Sequence, residues 1–220
     1  MNPGRALAVL LIGGGACAVA LGGCRTAGAA AGSPEMGKQV FADKQCARCH
    51  VPRGGQGVGP ALEEIRRPQG AMELAGRLWN HLPGMVAALS QRGSEWPRIG
   101  VLEMASLMAY LQADAARDPA PNLSRGEVTL VKKGCLKCHR LGREGGRVEP
   151  DLATHRGDYV TPAAWAATMW THTPRMAAMA EREGIPYPRF TGDEMGNLLA
   201  FLRSAAGAAP AGGPNPAVKR

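Results

Sequence analysis

The feature that most constrains this chain is a five-residue pattern used twice, Cys46-Ala47-Arg48-Cys49-His50 and Cys135-Leu136-Lys137-Cys138-His139. The copies lie 89 residues apart (46 to 135), and the same offset relates Gly37 and Phe41 to Gly126 and Leu130. Pro60 and Leu62 recur as Pro150 and Leu152. Further along, Trp79-Asn80-His81-Leu82-Pro83-Gly84-Met85 recurs as Trp170-Thr171-His172-Thr173-Pro174-Arg175-Met176, now at an offset of 91 (79 to 170). Trp96-Pro97-Arg98 likewise recurs as Tyr187-Pro188-Arg189, and Glu103-Met104 as Glu194-Met195. The change of offset falls in the loops after the cysteine pattern, where insertions are tolerated. The chain reads as a tandem duplication, so its fold must be one that a short unit can build twice.

The spacing inside the pattern carries chemistry. Two thiols one helical turn apart can add to the two vinyl groups of one porphyrin, and the adjacent imidazole reaches the iron from the same side; C-x-x-C-H is the attachment signature of c-type haem. Zinc binding or thiol redox chemistry is the other use of C-x-x-C, but two copies that both end in His favour haem. Cys46, Cys49, Cys135 and Cys138 are the attachment candidates, with His50 and His139 as iron ligands. Aromatic composition points the same way. Three Phe, three Tyr and four Trp in 220 residues are thin for two cores, and two covalently held macrocycles would supply the missing apolar bulk.

Residues Met1 to Gly23 carry one cation, Arg5, and an apolar run from Ala6 to Leu21 that is too short and Gly-rich for a good spanning helix. They read as a secretory signal. Leu21-Gly22-Gly23-Cys24 further resembles a bacterial lipobox, which would make Cys24 the acylated first residue of the mature chain; ordinary cleavage and an uncleaved anchor are the alternatives. Cys17 would leave with the signal. The expected location is the bacterial periplasm, with a lipid on Cys24 holding the chain to a membrane. Residues 24–34 read as a flexible tether and 35–112 as the first domain. Residues 113–123 read as a linker, 124–204 as the second domain and 205–220 as a disordered tail. Within the first domain, Ser33-Pro34 opens a helix to about Lys44, and further helices are expected near 72–81 and 85–91, divided by Pro83-Gly84, and over 101–112.

Each half resembles a small class I cytochrome c. The resemblance rests on the N-terminal helix, C-x-x-C-H, the Pro and Leu of the following loop, the Met-bearing segment and the C-terminal helix. It implies an all-α fold of two tandem class I cytochrome c domains. It also implies two covalently attached c-type haems, with Met85 and Met176 as sixth iron ligands, since thioether sulfur favours ferrous iron. His81 and His172 in the same motif are the competing ligands. Pro60 and Pro150 resemble the family proline whose carbonyl accepts from the proximal His; Glu149 stands where the first half has Gly59, a departure from the repeat in the second loop. Trp79 and Trp170 are expected at the haem edges or in ordinary core packing, and His155, with no repeat partner, at the surface.

The function implied is an electron carrier rather than an enzyme, passing single electrons between extracytoplasmic redox proteins. A small di-haem peroxidase-like enzyme and an electron-transfer subunit of a larger dehydrogenase or oxidase are the alternatives. The formal charge is +8, and loss of Arg5 with the signal leaves the chain basic. Around the second cysteine pattern Lys132, Lys133, Lys137, Arg140, Arg143 and Arg147 face only Glu144, a surround that would steer an acidic redox partner. No nucleic-acid partner is expected.

Overall fold

The computed structural model describes residues 32–208. The signal-like stretch, Cys24 and the end of the chain lie outside them. The fold is all-α, with seven helices among the described residues: α1 (Pro34–Asp43), α2 (Leu62–Ile65), α3 (Ala71–Ser90), α4 (Val101–Tyr110), α5 (Leu123–Lys132), α6 (Pro162–Arg182) and α7 (Glu194–Ala208). Two short strand pairs complete it: β1 (Gln69–Gly70) runs parallel to β2 (Ala113–Asp114), and β3 (Arg140–Leu141) runs antiparallel to β4 (Glu144–Gly145).

Helix α1 begins where its sequence says. The Ser33 hydroxyl accepts from the Met36 amide at 3.3 Å and Pro34 occupies the first helical position. Its buried face, Gly37, Val40 and Phe41, packs on α4. In the second half α5 packs on α7 in the same way, burying Gly126, Thr129 and Leu130. The two crossings are backbone to backbone. A Cβ on Gly37 would overlap the carbonyl of Ser106, and one on Gly126 the carbonyl of Asn197, so each helix pair approaches as closely as glycine allows. Equivalent ion pairs close the two crossings, Lys44 to Glu103 at 2.9 Å and Lys133 to Glu194 at 2.7 Å, and the second adds Arg125 to Asp193 at 3.4 Å.

The halves do not stand apart. Helices α3 and α6 pack on each other, α4 also packs on α6, and a single buried cluster contains Leu82, Trp79, Met104, Trp165, Trp170 and Met195. The stretch expected as a linker is pinned to the body: β2 pairs with β1, and the Asp118 carboxylate accepts from the Met72 amide at the start of α3 at 2.9 Å. Helix α7 runs to Ala208, so the first residues of the expected disordered tail are helical, and Ala206 is buried.

A further departure concerns the prolines. The expected break at Pro83-Gly84 is absent; α3 is continuous through Pro83, as α6 is through Pro174. A proline inside a helix leaves the carbonyl four residues back without its donor. Here those carbonyls belong to Trp79 and Trp170, and each accepts instead from the opposite half: Trp79 from the Tyr187 hydroxyl at 3.4 Å, Trp170 from the Trp96 indole N–H at 3.0 Å. The bonds that proline removes are replaced by side chains 108 and 74 residues away, and the helices need not break.

Candidate functional site

Each cysteine pattern follows the N-terminal helix of its half through one residue in the left-handed region, Gln45 at φ 64° in the first and Gly134 at φ 74° in the second. A short 3-10 turn then carries the cysteines, Cys46–Arg48 in one half and Cys135–Lys137 in the other. The imidazole that ends each pattern turns back on its loop. His50 Nδ1 lies 3.0 Å from the Pro60 carbonyl oxygen and His139 Nδ1 lies 2.9 Å from that of Pro150. A carbonyl can only accept, so Nδ1 carries the proton in both rings and each Nε2 keeps its lone pair for a metal.

The second half brings its expected site residues around one cavity. Cys135, Cys138, His139 and Met176 line it, with Leu130, Leu198 and Tyr159 among its apolar walls. In the first half Cys46, Cys49, His50 and Met85 are all half-buried, and Cys46 and Met85 pack against the core. His81 and His172 project from α3 and α6 as exposed side chains, Nδ1 donating to Arg77 O at 2.6 Å and to Thr168 O at 2.8 Å. His172 also reaches the cavity lining, as does Met179.

One residue sits where the sequence reading did not put it, and two that are buried as expected take partners it did not name. His155 is half-buried, lines the second cavity and holds Asp158 through Nδ1 at 3.0 Å; the expectation of a surface histidine fails because the loop carrying it folds over the site. Trp79 belongs to the first half yet lines the second cavity, stacked on Tyr187 at 5.0 Å with its indole N–H donating to Pro188 O at 2.6 Å. Trp170 correspondingly leans on the first half, stacked on Trp96 at 4.3 Å and donating to Pro97 O at 2.7 Å. The reciprocal pairing of Trp79-Tyr187 with Trp170-Trp96 was written in the repeat but only as equivalence, not as contact.

The two loops differ at the position before the proline. A Cβ on Gly59 would fall 2.6 Å from Cε1 of His50, so only glycine fits against that ring. The second loop is one residue longer between His139 and Pro150 and accommodates Glu149. That carboxylate pairs with Arg175 at 2.9 Å, and Arg175 stands where the first half has Gly84. Both departures from the repeat thus meet in one ion pair, and both residues line the cavity that Met176 enters.

Burial pushes the Cys46 and Cys135 thiols up to about 11. A redox C-x-x-C needs the opposite, a thiolate stabilised near neutral pH. The basic surround of the second site is thinner than its sequence suggests, because Lys133 is held by Glu194 and Arg140 by Asp151 at 3.1 Å. Lys132, Lys137, Arg143 and Arg147 pair with no acidic side chain among the described residues. No helix of the described residues is long and apolar enough to cross a membrane.

Two thiols a turn apart, an imidazole with a free Nε2 and a thioether around one apolar cavity fit the chemistry of a covalently attached haem. Residues 34–114 match the family model for Cytochrome c, which supports a cytochrome c family and, with it, a c-type haem and its iron. The match covers the first repeat and ends before the second cysteine pattern. No curated protein matches.

Proposed function

We propose that the chain is a di-haem c-type cytochrome that carries single electrons between extracytoplasmic redox proteins, tethered to a membrane by a lipid on Cys24. The observation that carries this reading is the second cavity, where Cys135, Cys138, His139 and Met176 surround one space although the family match ends at residue 114. A bound haem would supply a one-electron iron couple; the chain supplies everything that sets its environment. Cys46 and Cys49 would hold one macrocycle and Cys135 and Cys138 the other. The carbonyls of Pro60 and Pro150 fix the His50 and His139 rings and make them stronger donors. Met85 and Met176 would be the sixth ligands in this reading, from the helices that carry Trp79 and Trp170.

If His139 and Met176 both hold the iron, as His50 and Met85 would in the first half, no position would remain for a substrate, which favours a carrier over a peroxidase-like enzyme. Lys132, Lys137, Arg143 and Arg147 would favour an acidic redox partner at the second site. The duplication accounts for two sites sharing one plan. The test is haem content together with the near-infrared spectrum of the oxidised protein. Two haems per chain, each with a methionine-to-iron charge-transfer band, are expected. One haem per chain overturns the di-haem reading, and high-spin features in place of the band would put the enzyme first.

A further inference from the structure

We infer that Trp79, a residue of the first half, is a positioning residue for the second haem site and controls how much water reaches it. The inference rests on the di-haem reading. Trp79 is buried to 3% exposure and lies in the wall of the cavity that Cys135, Cys138, His139 and Met176 line. Three interactions hold it there, none of them with its own half. Its ring stacks on Tyr187 at 5.0 Å and 19°, meets Phe190 edge-on at 5.7 Å, and its indole N–H donates to Pro188 O at 2.6 Å. The neighbouring Asn80 fastens the same segment with two bonds to Phe190, Nδ2 to the carbonyl at 2.7 Å and Oδ1 from the amide at 2.8 Å. Tyr187, Pro188 and Phe190 themselves line the cavity, so Trp79 backs the segment and forms part of the wall at once.

The physical consequence is one of solvent access. An oxidised haem iron carries one more positive charge than a reduced one, and water admitted beside it stabilises the oxidised form and lowers the reduction potential. Removing the indole opens the second site from the side of the first half, while the cysteines, His139 and Met176 keep their places. The effect should therefore appear at the haem whose cysteines are farther from Trp79 in sequence.

The experiment is a redox titration of full-length holoprotein carrying Trp79→Ala, followed by the absorbance of both haems. The two potentials are assigned by comparison with Cys135→Ala/Cys138→Ala, which leaves the first site alone. A downward shift of the second haem by about tenfold in its redox equilibrium, about 59 mV for one electron, with the first moving much less, is expected. Trp79→Phe fills most of the space but cannot donate to Pro188; it should show a smaller shift of the same sign at the same haem, and it answers the question if the Ala variant does not fold. Equal shifts at both haems, a shift confined to the first, or none in either variant would overturn the inference and leave the di-haem reading standing. A chain found to hold only the Cys46/Cys49 haem overturns that reading and the inference with it.

Discussion

The two candidate sites share a plan down to single bonds and differ in how the loop on the histidine side is kept in place. In the first, Gly59 lets the loop press directly on His50. In the second, a longer loop carries Glu149, which reaches across to Arg175 on α6 and ties the histidine side to the methionine side. Close packing does in one half what an ion pair does in the other. The positions that would touch iron are repeated, whereas the means of holding them are not.

Substitutions at the two ends of the repeat should break this comparison with the largest effects. His50→Ala should abolish native ligation at the first site and leave the second, and His139→Ala should do the reverse. The Soret and visible spectra of the two variants check it, and on the di-haem reading a variant that disturbs both sites equally would show that they are not separable. Next come the helix crossings. Gly37→Ala and Gly126→Ala should each cost about 1–3 kcal/mol, because the added methyl meets backbone that cannot move aside. Thermal melts would show similar losses if the two crossings are equivalent.

A sharper contrast is Gly59→Ala, which should displace the His50 ring and alter the first haem's spectrum alone, while Glu149→Ala leaves the His139-Pro150 bond intact. Since the Arg175 side chain is 70% exposed, loss of its pair with Glu149 should cost no more than about 1 kcal/mol in a denaturant melt.

The smallest effects concern acid. The Gly100 amide, then Lys44, hold the Glu103 carboxyl below its ordinary value of 4.5. For Glu194 burial acts in the raising direction, and Lys133 and the Thr191 amide outweigh it. Both carboxylates therefore contribute stability that is complete above about pH 4.5 and is lost as pH falls through the lowered value. Glu103→Gln and Glu194→Gln should each flatten that part of the stability curve, and by like amounts if the ion pairs are true counterparts.

Much of the fold could be read directly. Ser33-Pro34 announces the first helix, and the helical spacing of Leu102, Ala105, Leu107, Met108 and Leu111 announces α4. Repeat equivalence singled out Met85 and Met176 from ten methionines, and Met176 lines the cavity of Cys135, Cys138 and His139 together with Met169 and Met179. The tryptophans and prolines were harder. Pro83 reads as a helix breaker in isolation, since nothing nearby in sequence says that Tyr187 will satisfy the Trp79 carbonyl. His155 has no counterpart in the first half, so the periodicity that located the other residues was silent about it. Local propensity and repeated motifs determine what each half contains; how the halves grip each other depends on residues paired between them.

That grip bears on the order in which the molecule can be completed. A chain is made from its N-terminus, so Trp79 and Trp96 emerge long before Tyr187 and Trp170. Until the second half arrives, α3 lacks the hydroxyl that satisfies its open carbonyl, and two large aromatic faces have nothing to cover them. The first half must wait, partly assembled, for a partner encoded downstream on the same strand. Cys46 and Cys49 precede both aromatic pairs in the chain, leaving an interval in which their thiols can be reached before the body closes around them.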